Sequence, residues 1–133
     1  MSVPYIHLAD DRIATVRRIR TLFPEQILPF GFVVEFTVTR GERINTRLLW
    51  EARVTSHFPP DFTPRDWMQE AKQVGLEILK YAVANNEINH YMLLGGTPNL
   101  RVIAVGHHGA AEHYDFGAGI FQVSLAGDWQ VNF

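Results

Sequence analysis

Cysteine is absent from this chain of 133 residues, which excludes disulfide scaffolds and zinc–thiolate sites. No stretch approaches the roughly 20 consecutive apolar residues that a membrane-spanning helix needs, so the sequence predicts no membrane segment. The first residues lack a basic segment followed by an apolar run, so we predict no secretory signal and expect a cytoplasmic location. Lysine is also scarce, since Lys72 and Lys80 are the only lysines among 12 basic residues.

What remains has the composition of an ordinary globular protein. Hydrophobic residues make up 47% of the chain and charged residues 20%, and a chain of this length can bury a core as one unit. We therefore predict a single compact α+β domain over residues 1–133. The formal net charge of −2 conceals an uneven distribution, because residues 12–53 contain eight arginines and only four glutamates.

Residues 64–85 predict one long amphipathic helix, on which a mainly antiparallel sheet is expected to pack. Thr63 is a suitable N-cap, Pro64 fits the first helical position because it has no N–H to satisfy, and Asp66 completes a capping-box pattern. We assign Glu70 to the polar face of this helix. The apolar face has residues at steps of three and four: Trp67, Ala71, Val74, Ile78 and Ala82.

Residues 31–57 predict a β-hairpin, because apolar and polar residues alternate along both halves. The apolar positions of both strands are even-numbered, so the register requires a bulge or a loop with an odd number of residues. The predicted register places Val34 opposite Trp50 and brings Arg47 close to Glu35.

The N-terminal segment permits two interpretations. Residues 11–23 fit a short helix that ends before Pro24, with isoleucine, valine and phenylalanine side chains on one face. Tyr5–Leu8 and Ile13–Val16 could instead form a hairpin. We favour the helix, and on that helix Arg17, Arg18 and Arg20 lie along one side.

The C-terminal half reads as mainly strands. Ile88–Leu94 and Leu100–Gly106 predict two central strands, because both are apolar on both faces. Residues 106–119 contain four glycines and predict a loop. Ile120–Leu125 and Trp129–Phe133 predict a final hairpin.

The histidine-rich segment 106–115 is the best candidate for chemistry. His107, His108 and His113 are possible ligands for a divalent metal, and His113 with Asp115 could form an acid–base pair. Their spacing matches no established metal motif. The alternative interpretation is a glycine-rich surface loop with solvated histidines, and we predict no other cofactor. A small enzyme or metal-dependent protein is therefore the second hypothesis.

Nucleic-acid binding through the arginines of residues 12–53 is the third hypothesis. Phosphate binding requires basic residues concentrated on one surface. Glu35 and Glu51 interrupt the arginine-bearing face of the predicted hairpin, which disfavours this function.

The leading hypothesis is a non-catalytic subunit that binds protein partners and forms oligomers. Arginine and aromatic residues are enriched at protein interfaces, and a terminal strand can pair with another chain. The expected partner is a second copy of the chain or another protein, with no membrane involved. The predicted interface residues are Arg47, Arg53, Tyr114, Phe121, Trp129 and Phe133.

Overall fold

The computed structural model describes residues 4–8, 12–20, 31–54, 64–93, 95–107, 110–117, 121–123 and 129–131. The strands are β1 Tyr5–His7, β2 Ile13–Ile19, β3 Gly31–Arg40, β4 Arg43–Val54, β5 Thr97–His107, β6 Ala110–Gly117, β7 Phe121–Val123 and β8 Trp129–Val131, and the helices are α1 Pro64–Ala84 and α2 His90–Leu93. Six strands form one antiparallel sheet in the order β1-β2-β4-β3-β5-β6, and β7 pairs with β8 separately. In coarse outline the fold is α+β.

Strand β3 lies at the centre of the sheet, between β4 and β5. Every residue from Gly31 to Val38 is buried, so this strand is covered on both faces. Its even-numbered side chains from Phe32 to Val38 belong to the same core cluster as the buried apolar residues of α1. We call that face of the sheet the inner face.

Helix α1 packs on the inner face through a row of buried residues: Trp67, Ala71, Val74, Ile78 and Ala82. The Trp67 ring lies 6.2 Å from the ring of Phe32, measured between centroids. At Gly75 the helix comes close to β5, because an added Cβ would lie 3.0 Å from Leu100 Cδ2 and 3.2 Å from Val102 Cγ2. The glycine therefore allows a close contact between helix and sheet.

The β3–β4 hairpin has the predicted register through most of its length. Val34 pairs with Trp50, and Val38 pairs with Thr46. A register shift after Val38 brings Arg40 opposite Arg43 around a tight turn, in which Gly41 has a φ of 63°. The even-numbered apolar faces therefore match through a bulge, one of the two solutions that the parity argument allowed.

The prediction of an N-terminal helix over residues 11–23 is wrong for Ile13–Ile19, which form β2. Strand β2 pairs with β1 on one side and with β4 on the other. Ala14 and Val16 are buried, so alternate side chains of this strand face the core. One of the two buried residues is an alanine and the other is β-branched. The alternative hairpin interpretation is the one that the structure supports.

Two predictions in the C-terminal half are also wrong. His90–Leu93 form the short helix α2 instead of part of a central strand, and the neighbours of β5 in the sheet are β3 and β6. Ala110–Gly117 form strand β6 instead of a loop. The predicted final hairpin is confirmed by the pairing of β7 with β8.

A buried ion pair joins α1 to the start of β2. Arg12 donates to the Glu70 carboxylate through Nε at 3.2 Å and through Nη2 at 2.6 Å. The side chains are only 5% and 4% exposed, so the assignment of Glu70 to a polar, solvated face is wrong. Arginine neutralises this carboxylate inside the protein, because an unpaired charge there would be very costly.

We expect the Glu70→Leu substitution to lower the free energy of unfolding by about 3–5 kcal/mol, because it leaves the Arg12 charge buried without its carboxylate. Urea denaturation measures this change. The double variant Arg12→Met/Glu70→Leu should be closer to wild type, since neither charge is then buried. A double variant that is less stable than Glu70→Leu alone would contradict this account.

Candidate functional site

The face of the sheet away from α1, which we call the outer face, is formed by odd-numbered residues of the strands. Glu35 of β3 lies opposite Leu49 of β4 on one side and opposite Arg101 of β5 on the other. Thr37 lies opposite Arg47 of β4. This register brings two arginines from neighbouring strands to one carboxylate.

Both oxygens of the Glu35 carboxylate accept hydrogen bonds or ion pairs from arginine. Arg47 lies 2.8 Å from Oε2 through both Nε and Nη2, and Arg101 Nη2 lies 3.1 Å from Oε1. The Glu35 side chain is only 10% exposed. Charge-assisted bonds of this kind are stronger than neutral ones. The carboxylate thus connects the three central strands β4, β3 and β5.

The Glu35 ion pairs lie beside an apolar cluster on the same face. Val33, Leu49 and Ile103 are buried, and Ile19 of β2 packs partly against them. A second ion pair on this face joins Arg17 to Glu51 at 3.3 Å. The outer face therefore alternates between ion pairs and buried aliphatic side chains, an arrangement suited to holding strands in register.

The two candidate acid–base residues lie on β6, next to this face. His113 occupies the register position opposite Ile103, and Asp115 occupies the position opposite Arg101. The two residues are two positions apart on one strand, so both belong to the outer face by register. The structure therefore places Asp115 in the same row as Arg101 and Glu35, on consecutive strands.

The three candidate metal ligands are not brought to one described site. His107 ends β5 opposite Ala110, His113 lies opposite Ile103, and His108 is outside the described residues. In the part of the chain that the structure describes, no group of three His, Cys, Asp or Glu side chains could hold a metal ion. The histidine metal site remains a prediction.

The predicted interface residues are spread over several strands. Arg47 is bound to Glu35, and Arg53 is exposed in β4 opposite Thr15 and Gly31. Tyr114 lies on β6 opposite Val102. Of the remaining three, Phe121 lies in β7, Trp129 lies in β8, and Phe133 is outside the described residues.

The arginines of β2 do not share one surface, contrary to the expectation from a helix. Successive residues of a strand point to opposite faces. Arg17 accordingly pairs with Glu51 on the outer face, whereas Arg18 lies against Trp50 on the inner face. This division does not produce the continuous basic surface that phosphate binding requires.

Sequence reasoning did not identify Arg101 as a partner of Glu35. It is the only charged residue of the stretch Leu100–Gly106, and its odd number places it on the same face as Glu35 once β3 and β5 are neighbours. That neighbour relation depends on strand order, which the sequence pattern does not report. The isolated charge in an apolar strand was the available indication.

No protein-family model matches the chain, and no curated protein or solved structure is significantly similar to it. Within the described residues, neither helix combines the length and apolar character needed to cross a membrane.

We expect Glu35→Gln to lower the free energy of unfolding by about 2 kcal/mol, because the arginines on both sides lose a shared, mostly buried charged acceptor. Glu51→Gln is the matched control on the same face. Its partner Arg17 is 70% exposed, so the loss should stay below about 1 kcal/mol. Urea denaturation of both variants tests this, and equal losses would contradict a special role for Glu35.

Proposed function

We propose that the protein is a non-catalytic assembly subunit that pairs with a second copy of itself along strand β6. The proposal rests on one observation: the six-stranded sheet ends at Ala110–Gly117, an eight-residue strand that pairs only with β5 among the described strands. The opposite end of the sheet, β1, has three residues. A long edge strand presents unpaired N–H and C=O groups that favour pairing with another chain.

The composition of β6 supports this proposal. Lysine and proline, which commonly protect an edge strand, are absent from Ala110–Gly117, and its charged residues are Glu112 and Asp115. In this proposal α1 is the amphipathic helix that covers the inner face of the sheet, and the β6 edge is left for the partner. The two buried carboxylates of the described residues, Glu35 and Glu70, both bind arginine, which supports a structural role for them.

The residues of β6 favour one register for an antiparallel pair with twofold symmetry. If the axis passes through Tyr114, each His113 lies opposite Asp115 of the second copy, and Tyr114 lies opposite its own equivalent. Opposed residues must lie on the same face of the sheet, so the axis can move only by whole residues. At Asp115 it would place two aspartates opposite each other, and like charges directly opposite destabilise a sheet; at His113 it would place two histidines opposite each other in place of the His113–Asp115 pairs. The favoured dimer is therefore centred on Tyr114.

The absence of cysteine makes this register testable with one introduced thiol. We expect the Tyr114→Cys variant to form an intermolecular disulfide on mild oxidation. Directly opposed residues in an antiparallel pair have Cα atoms about 4.5–5.5 Å apart, within the range of about 4.4–6.8 Å that a disulfide requires. Non-reducing electrophoresis measures the cross-linked fraction.

Two controls accompany this experiment. Glu42→Cys places a thiol in the β3–β4 turn, away from β6, and should cross-link far less under the same conditions. Light scattering of the unmodified protein should give the mass of a dimer. A strict monomer at high micromolar concentration, or equal cross-linking of the two variants, would overturn the proposed assembly.

A further inference from the structure

A second cluster of polar groups lies on the inner face, at the end of α1 and away from β6. Arg18 of β2 pairs in register with Trp50 of β4, and its guanidinium carbon lies 5.5 Å from the centroid of the indole ring. Trp50 is fully buried. Arg18 therefore places a cation on an aromatic surface that is otherwise enclosed by the protein.

Glu87 supplies a carboxylate to the same cation. The turn after α1 holds this residue, because the Glu87 and Ile88 N–H groups both donate to the Ala82 carbonyl and Asn86 has a φ of 58°. Arg18 Nη1 lies 3.3 Å from Glu87 Oε1. An aromatic face beside a carboxylate is an arrangement by which proteins bind organic cations.

Arg18 does not satisfy all the hydrogen-bonding groups of this cluster. It makes one bond to Glu87 at the long end of the hydrogen-bond range, and its side chain is 45% exposed. Glu87 Oε2 and Trp50 Nε1 are both buried and have no hydrogen-bond partner in the structure. Buried polar groups normally form hydrogen bonds, so these two atoms are candidates for hydrogen bonds to a ligand.

Tyr81 lies within the electrostatic influence of the same carboxylate. Burial and the negative charge of Glu87 raise the pKa of Tyr81 above its ordinary value of 10.0. The phenol is therefore protonated at neutral pH and can donate a hydrogen bond. The charged and polar groups at this end of α1 thus include the Arg18 guanidinium, the Glu87 carboxylate and two hydrogen-bond donors, the Tyr81 hydroxyl and Trp50 Nε1.

We propose that Trp50 and Glu87 form a binding site for a ligand with a guanidinium group, and that Arg18 occupies this site in competition with the ligand. A guanidinium from solution would stack on Trp50 and donate to both oxygens of Glu87, whereas Arg18 donates to one. A ligand that also has a hydrogen-bond acceptor can satisfy Trp50 Nε1. L-Arginine has both groups and is the probe that we choose.

The experiment is a titration of uniformly ¹⁵N-labelled protein with L-arginine, followed through the indole N–H resonances in two-dimensional NMR spectra. The chain has three tryptophans, so Trp67 and Trp129 are internal controls, and Trp50→Phe assigns the resonance. We expect the Trp50 resonance to shift saturably in the wild-type protein. L-Citrulline, which has a neutral urea in place of the guanidinium, should leave it unchanged.

Variants test the competition by Arg18. Arg18→Gln retains part of the side chain without its charge. We expect this variant to bind L-arginine about tenfold more tightly, because the Arg18 guanidinium no longer occupies the site formed by Trp50 and Glu87. Adding Glu87→Gln should abolish binding. Arg17→Gln is the matched control, since Arg17 pairs with Glu51 on the outer face, and it should bind like wild type.

Three outcomes would overturn the proposal. The first is a Trp50 resonance that L-arginine does not move in the wild-type protein. The second is binding of L-arginine to the Arg18→Gln variant but not to the wild-type protein. In that case L-arginine would only replace the missing Arg18 side chain, and the natural protein would have no such site. The third is an equal response to L-citrulline, which would exclude recognition of the charge.

Discussion

The burial of strand β3 on both faces is the constraint on which the rest of the structure depends. Its inner face is covered by α1, with Trp67 against Phe32 and Gly75 allowing close contact with β5. Glu35 of the same strand is buried on the outer face, so neighbouring residues must neutralise its charge. Arginines from β4 and β5 do this, and in doing so they connect the three central strands.

The parts of the fold that follow from local pattern could be predicted from the sequence. The alternation along residues 31–54 and the even-numbered apolar positions were sufficient to derive the register of β3 with β4, including the pair Val34 and Trp50. The segments Ile120–Leu125 and Trp129–Phe133 likewise predicted the strands β7 and β8, which pair with each other. In both cases the strands are consecutive, so the information lies within a short stretch of chain.

The remaining parts depend on contacts between distant segments. Ile13–Ile19 has spacing compatible with a helix, and pairing with β4 determines that it is a strand. The sequence of β6 contains charged residues and a histidine and resembles that of a loop, yet this segment pairs with β5 as a strand. The pairing of Glu35 with Arg47 was predicted, but its second partner Arg101 and the Glu70 partner Arg12 were missed for the same reason. Arg101 and Arg12 reach them only after the strand order and the position of α1 are set.

The order of strands also determines how the protein can fold. In the central pair, Gly31 of β3 meets Val105 of β5, and Thr39 meets Thr97, so α1 and the whole of β4 intervene in the chain between them. Contacts between residues so far apart in sequence slow folding, because the chain must lose much entropy before they form. A fragment that ends with β4 has no β5 to cover one edge of β3. The centre of the sheet therefore cannot be completed without the second half of the chain.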